Sequence, residues 1–405
     1  RSQLGQVLGE SSMIFKLLIA FVGIQLITLP FSHAIGGSLQ QFVVAQINWT
    51  TTFFIAAFVF SRKGTATKWA VMLWVVAVLQ GLLSVWEHHV GHVVWRDDIP
   101  SFLQIADPTV ARILTPEFRG YGNQSYRSQG TFDGPIQLGE FLVLCFTFVM
   151  HFAVEGRSAT TRLLARISAP FLLAISLATG SRSSAVGFVV AIGVYALYVG
   201  ARWWRRHPQG LVAPLFIISY PIMGLAAFAS SFLVYRIRAK VWGTGGANQA
   251  STQARVAQYN LGIPKILSQP WGHGAGQAGI TLGYQSPGAN FYTIDSYYLA
   301  LMLDYGIIGF IIYMMLFLFA SYKGVRSAIF NDPEDWEISL LAPAGVSLIN
   351  FIVIKAVFNQ ADNHVLFFAV LGMIPALLWR AKTGGMHAAR TQGAPNRQRL
   401  QPRTI

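Results

Sequence analysis

Charge is scarce in this chain: 11% of its 405 residues are Asp, Glu, Lys or Arg, against roughly 25% in soluble domains. A surface built for water needs more than that, so a soluble multidomain protein is excluded. Cysteine is scarcer still. The single Cys145 has no partner for an intrachain disulfide and lies in an apolar run, which leaves neither a disulfide framework nor a thiolate metal site. No stretch outside the apolar runs is long enough to bury a core of its own, so an appended soluble catalytic domain is excluded as well. What is abundant is apolar surface, at 53% hydrophobic residues, and the chain reads as an all-α polytopic membrane protein. The 30 Lys+Arg against 16 Asp+Glu, a net charge of +14, would point to nucleic acid in a soluble chain. In a membrane chain the same excess sets orientation and meets anionic lipid headgroups, and no nucleic-acid partner is expected. Position 1 is Arg rather than Met and no signal-peptide pattern precedes the first apolar run, which implies that N-terminal residues are missing.

Apolar runs of bilayer-spanning length, roughly 17 to 25 residues, predict ten spans at about 14–31, 40–60, 69–86, 137–154, 163–180, 184–201, 211–233, 297–320, 337–358 and 364–380. Four short connections carry dense positive charge: Arg62, Lys63 and Lys68; Arg157, Arg162 and Arg166; Arg202, Arg205 and Arg206; Lys323 and Arg326. All fall on one side of a ten-span alternation, which the positive-inside rule makes cytoplasmic. Residues 1–380 then form one transmembrane domain, and 381–405, with Arg390, Arg397, Arg399 and Arg403 among Gly, Gln and Pro, read as a basic disordered cytosolic tail. Two long connections, 87–136 and 234–296, lie outside. Their segments SFLQIADPTVARILT and ARVAQYNLGIPKILS have helical apolar spacing with a basic edge and predict short surface helices. No internal repeat of the kind that marks inverted-repeat transporters is present.

The strongest local signal is Thr179-Gly180-Ser181-Arg182-Ser183-Ser184, which joins two spans at the outer face with almost no loop. A Gly-Ser turn opening a helix offers hydroxyls, free N–H groups and a positive dipole end, and Arg182 adds a bidentate donor, a combination suited to phosphate. The competing reading is a serine N-cap beside an arginine that snorkels to headgroups. Ionisable residues inside spans are expensive, at least roughly 2.5 to 3.5 kcal/mol for Asp or Lys at midplane. Glu140 and Lys355 fall three residues from the outer ends of their spans, and Asp304 about 10 Å into its own at 1.5 Å per residue. With Arg182 they suggest a polar cavity open to the outer leaflet, against separate snorkelling as the alternative.

The second long connection carries Arg236, Arg238, Lys240, Arg255 and Lys265, then Pro270-Trp271-Gly272-His273-Gly274-Ala275-Gly276, and ends in Thr293-Ile294-Asp295-Ser296-Tyr297-Tyr298. Basic residues facing such a cavity suit an anionic substrate held by its lipid, presenting phosphate to Arg182 and Arg255 and sugar to aromatics. Gly274, Gly276 and Gly279 match a dinucleotide spacing but follow no strand, so we read them as a tight turn that aims His273. Arg127-Ser128-Gln129-Gly130-Thr131-Phe132-Asp133-Gly134-Pro135 ends the first connection and supplies Arg127 and Asp133; a plain Gly/Pro turn before a helix is its alternative. Glu87, His88, His89 and His92 have metal-ligand residue types, but no other ligands converge, and interfacial histidines are the expected reading.

Taken in order, RSQGTFDGPIQLGEF, TGSRSSAVG, the segment from Arg255 to PWGHGAG, and IDSYYLALMLDYGIIGF resemble the landmarks of the O-antigen ligase and Wzy-type polysaccharide polymerase superfamily, over roughly residues 125 to 320. The resemblance implies a GT-C-like membrane glycosyltransferase of the bacterial inner membrane, without metal or cofactor. Such an enzyme takes glycan from undecaprenyl diphosphate on the periplasmic side. It implies that Arg182 and Arg255 hold the diphosphate and that the connection 234–296 covers the site; we add Arg127 and Ser181 to the diphosphate side and read Glu140, Asp304, Lys355, Asp133 and Tyr297 as the cavity and acceptor side. One departure stands out. Ligases of this kind carry a histidine just before the span that begins here at Ser296, where this chain has Thr293, Asp295 and Tyr297.

The expectation is therefore a polymerase of lipid-linked repeat units, with Asp295 as general base and His273 as second choice. Its partners would be undecaprenyl-diphosphate-linked glycans, membrane lipids, and a chain-length regulator or export machinery. The alternatives are a ligase moving glycan to lipid A or protein, and a flippase or transporter of anionic lipid-linked sugars. The charge pattern also makes a topological prediction. Cysteine labelling should find residues near 110 and 260 outside and residues near 204 and 328 inside; finding 204 and 260 on one side overturns the assignment.

Overall fold

The computed structural model describes residues 3–96, 98–100, 102, 113–116, 118–119, 125–233, 247–285, 292–331, 335–356 and 362–392. Among them the chain is all-helical apart from a two-residue antiparallel pairing, β1 (Phe118–Arg119) with β2 (Ser125–Tyr126). The helices are α1 (Gln3–Glu10), α2 (Ser12–Thr28), α3 (Ile35–Ala45), α4 (Thr52–Phe60), α5 (Thr65–Val90), α6 (Pro135–Glu155), α7 (Ala159–Ala178) and α8 (Arg182–Arg206). They continue as α9 (Val212–Leu233), α10 (Ala247–Ser268), α11 (Ala278–Leu282), α12 (Tyr297–Phe330), α13 (Leu341–Lys355) and α14 (His364–Gln392). A π-helical turn, Gln46–Thr51, fuses α3 to α4, and a 3₁₀ turn, Trp336–Leu340, leads into α13.

Nine helices among the described residues are long and apolar enough to span a bilayer, in the order the apolar runs predict. The run at 211–233 is α9, whose apolar part, Val212–Ala226, is shorter. Helix starts follow local chemistry. Pro135 opens α6, and the Ser158, Ser181 and Ser296 hydroxyls cap α7, α8 and α12 by accepting from Thr161, Ser184 and Leu299 N–H. The expected surface helix of the second connection is α10, whereas most of its counterpart at 101–115, and Arg236, Arg238 and Lys240, lie outside the described residues. Helix α14 continues to Gln392, so residues 381–392 of the tail are helical; 393–405 also lie outside the described residues.

Burial decides which helices form the centre. The spans Pro135–Glu155 and Trp336–Lys355 are each 83% buried, whereas Ile35–Phe60 and Ala159–Ala178 are 22% buried and present apolar side chains such as Ile47 and Leu164 outward. The centre is therefore α6 against α13, wrapped by α8, α12 and α14. Small residues allow close crossings: Gly324 of α12 faces Gly345 of α13, where a Cβ would come within 3.1 Å of the Leu341 carbonyl. The end of the bundle bearing the four arginine- and lysine-rich connections is hereafter the basic end, and the opposite one the loop end.

One element departs from regularity. Helix α12 breaks at Gly306, with φ 71° and ψ 179°, a conformation open only to glycine. The turn at 270–274 fills the break: Ile307 N–H donates to the Pro270 carbonyl (2.9 Å), His273 N–H to Leu303 (2.8 Å) and Gly274 N–H to Asp304 (2.9 Å). At 34 residues, α12 would be about 51 Å long if straight, well beyond a hydrocarbon layer of roughly 30 Å. Counting about twenty residues back from Lys323 at the basic end reaches Leu303. Tyr297–Tyr305 is thus the loop-end segment of α12, set off from the rest of the helix by the break, and it carries Asp304.

Adding a Cβ at Gly306 would both strain the backbone and overlap the Pro270 carbonyl. Gly306→Ala should lose at least about 1–3 kcal/mol, read as a lower thermal midpoint in detergent. An unchanged midpoint would show that the break is not locked by this contact.

Candidate active site

The sequence-derived residues fall into one run of contacts across the loop end. Helix α10 carries Arg255, half-buried, its Nε enclosed and without a hydrogen-bond partner among the described residues. One turn further on, Gln258 Oε1 accepts from Asp295 N–H at 2.8 Å, and the Tyr259 hydroxyl meets the Ser296 hydroxyl at 2.8 Å. These bonds fix Arg255 beside the start of α12, with the Asp295 carboxylate on a backbone held from both sides. Ser296 also donates to the Ala356 carbonyl (3.3 Å) at the end of α13. The next residue back, Lys355, pairs with Glu140 of α6 at 2.8 Å, both side chains essentially inaccessible to solvent.

From Glu140 the contacts continue to the Gly-Ser turn. Gly139 lies so tightly against Ser184 that any Cβ there would overlap the serine hydroxyl. Thr179 and Gly180 precede α8, and Gly180 takes φ 61°. Arg127 Nε donates to the Thr179 carbonyl at 2.9 Å, which anchors the Arg127 run to the Arg182 turn. The Ser181 hydroxyl is used as the N-cap of α8 and also meets Ser183 at 3.0 Å, the serine-cap role that competed with phosphate binding. The RSQG run is held from the other side as well: Glu87 Oε2 accepts from Gln129 N–H (3.0 Å) and Gly130 N–H (2.9 Å). Glu87 is thereby a docking residue for this loop, and no cluster of three His, Cys, Asp or Glu forms among the described residues.

Three residues that the sequence reading did not single out belong to this surface. Asn363 Nδ2 donates to Glu140 Oε2 (3.0 Å) and to the Gln137 carbonyl (2.9 Å). His364 packs between Trp49, Tyr297 and Phe351. Asp362 is pushed above the usual carboxylate range by loss of solvation and by the neighbouring Asp133, while a hydrogen bond from Gln137 opposes the rise. The signal was Asp-Asn-His between two apolar spans, three polar side chains in a connection that a simple turn would not require.

His273 and Asp304 lie on another side of α12. His273 Nδ1 donates to the Leu303 carbonyl at 3.0 Å, which leaves Nε2 as an acceptor. Burial holds the ring below the ordinary imidazole range, and the nearby charges of His33 and Lys265 act in the same direction. Asp304 Oδ1 accepts from Ala278 N–H at 2.6 Å, so Asp304 aims the glycine-rich turn. Because His273 is bound at residue 303, it stands roughly 12 Å along the helix from Asp295, at 1.5 Å per residue. The two candidate bases therefore do not share one position. Tyr297 lies between the groups, its ring 5.7 Å from Lys355 Nζ and 4.9 Å from the His364 ring.

Cavities lie at both ends of the bundle among the described residues. One of about 360 Å³ adjoins Tyr297 and Asp304 at the loop end; another of about 400 Å³ lies at the basic end around Glu10, Lys323 and Lys382. No sequence-derived site residue lines the second.

The fold and site define a polytopic membrane protein whose arginines, carboxylates and glycine-rich turn gather at one end of a helical bundle. Residues 167–314 are similar to the family model described as O-Antigen ligase, a likeness confined to that segment that leaves ligation and polymerisation undistinguished. No curated protein gave a match to the chain.

The Glu140–Lys355 pair yields a test of its own. Lys355→Met leaves a carboxylate buried without its counter-charge, and such losses amount to about 3–5 kcal/mol. The double variant Glu140→Gln/Lys355→Met should recover much of that stability. Strictly additive losses in thermal midpoint would mean that the two residues act independently.

Proposed function

We propose that the protein transfers a glycan from a lipid diphosphate to an acceptor hydroxyl at the loop end, facing the periplasm, and that the transfer is ligation onto a lipid or protein acceptor. The family match carries this reading, because the matched segment contains Arg182, Arg255, His273, Asp295 and Asp304 together. The acceptor oxygen bonds to the anomeric carbon as the carbon–oxygen bond to the diphosphate breaks, and the electron pair leaves with the diphosphate. Arg182 and Arg255, with Arg127 anchored on the turn that precedes Arg182, neutralise that charge, and planar guanidinium groups suit it better than ammonium. The acceptor proton passes to Asp295, whose backbone is fixed by Gln258 and whose neighbour Ser296 is fixed by Tyr259. His273, at its separate place on α12, positions the glycine-rich turn.

A second reading, polymerisation of lipid-linked repeats, is favoured by one observation. Asp295 and Tyr297 stand where ligase-like sequences have their histidine. A deletion strain separates the two: long lipid-linked chains accumulate if the protein is a ligase, single lipid-linked repeats if it is a polymerase.

Arg182→Lys and Arg255→Lys should each lower transfer by about tenfold or more, since the charge remains but the bidentate fork is lost. Asp295→Asn should abolish transfer while donor binding persists, and His273→Gln should be milder. Wild-type rates in both lysine variants would demote the arginines to headgroup anchors, and the reverse ranking of the other two variants would give the proton to His273.

A further inference from the structure

We propose that the cavity between the π-helical turn Gln46–Thr51 and the loop-end segment of α12 is a subsite for an uncharged sugar of the acceptor, distinct from the basic surface that holds the diphosphate. This deepens the transfer reading above and rests on it.

The lining chemistry selects the ligand. The cavity, about 360 Å³, falls in the range of small-molecule sites, roughly 300–1,000 Å³. Its polar groups are the Gln41 and Asn48 amides and the Asp304 carboxylate; its aromatic groups are Trp49, Tyr297 and Tyr305. None of its lining residues is Lys or Arg, so a diphosphate would meet a carboxylate and no counter-charge. A polyprenyl chain would set two amides and a carboxylate against hydrocarbon, which is unfavourable for each polar group left unbonded. A sugar ring meets all three requirements. Its hydroxyls both donate to a carboxylate and accept from amide N–H groups, and its apolar face covers an aromatic ring.

The walls are held in place before any ligand arrives. Trp49 is stacked against His364 (5.4 Å between centroids) and Phe368 (5.5 Å). The π-helical turn that presents Asn48 and Trp49 is secured by Gln46, which donates to Gln25 Oε1 (2.6 Å) and accepts from Thr50 (2.7 Å); such turns recur at functional sites. Asp304 is oriented by Ala278 N–H. Gly276, at φ 73°, brings the glycine-rich turn against Gln41, whose side chain would lie 2.6 Å from a Cβ at that position.

The location fits an acceptor. Gln41 and Val44 are exposed next to Leu39, Val43 and Ile47, apolar side chains that face outward, so a lipid-anchored acceptor reaches the cavity from within the bilayer plane. On the far side Tyr297 closes the cavity two residues from Asp295. Ile294, the residue before Asp295, also lines the cavity, which puts a bound sugar next to the backbone that carries the candidate base.

The test uses the full chain in nanodiscs, with lipid-linked donor and acceptor extracted from the deletion strain. Asn48→Ala and Gln41→Ala should each raise the acceptor KM about tenfold with donor KM and folded yield unchanged, and Asn48→Gln should restore part of the loss. An unchanged acceptor KM, or a change confined to the donor, overturns the subsite while the transfer reading stands. Independently of turnover, quenching of tryptophan fluorescence is titrated with the acceptor glycan freed of its lipid by mild acid. Binding that is lost in both alanine variants supports the subsite even where no transfer occurs, in which case the transfer reading alone fails. No binding by the wild-type chain, or binding indifferent to Asn48 and Gln41, overturns the subsite.

Discussion

Inside an apolar bundle a charge must have a partner and a broken backbone must find donors, and this constraint organises the whole molecule. At the loop end, Lys355 and Glu140 join the two most buried spans, with Asn363 taking the second carboxylate oxygen. At the basic end, Arg380 pairs with Asp335 and Glu337, and Glu337 accepts from Gly64 and Thr67 N–H at the start of α5. Between α6 and α8, Glu155 binds Arg202 and Tyr198, while His151 bridges Tyr195 and Ser339. Each pair ties a central helix to a neighbour, so helix positions are set by polar contacts that tolerate little displacement.

The same pairs bear on the transporter alternative. A conduit for anionic sugars needs ionisable groups along a path through the bundle. Ionisable residues do occur at both ends, and at the basic end Arg380, Glu337, Glu155 and Arg202 are engaged in helix-to-helix contacts. The cavities of about 360 and 400 Å³ lie at opposite ends, and the closed centre between them holds apolar side chains such as Leu144, Phe148 and Leu348 together with uncharged polar ones, Thr147 bonded to Ser347 and the buried Asn350. The candidate site residues read from the sequence lie toward the loop end, an asymmetry that favours chemistry at one face over passage between two.

Much of the fold was legible because hydrocarbon imposes a length rule. Apolar runs of about twenty residues have few alternatives to spanning helices, and the order of nine of them follows directly. Depth was less legible. Hydropathy marks where α12 starts and stops being apolar but not that it continues to Phe330 or breaks at Gly306. The residue types at the site were readable as motifs, whereas their partners were not. That Lys355 would meet Glu140, or that Glu87 would hold Gln129 and Gly130, depends on contacts more than forty residues apart. Asn363 and Trp49 escaped for a related reason: an amide in a short connection and an aromatic in a span look ordinary until packing shows what each touches.

The break at Gly306 links the two halves of the site. Because the turn at 270–276 docks into it, one continuous stretch from α10 to α12 carries Arg255, the turn that closes the cavity against Gln41, and Asp295. The stretch is pinned at three places: Gln258 and Tyr259 on the start of α12, Pro270 and His273 on its break, and Lys265, whose ammonium donates to the Thr281 and Leu282 carbonyls. A displacement of the turn would move the cavity wall, and through α10 it would also shift the arginine beside Asp295. In the proposed transfer, donor and acceptor groups would share this common scaffold. The spacing between a leaving diphosphate and an attacking hydroxyl, on which the proposed transfer would depend more steeply than on either binding step, would then be set by backbone contacts rather than by flexible side chains.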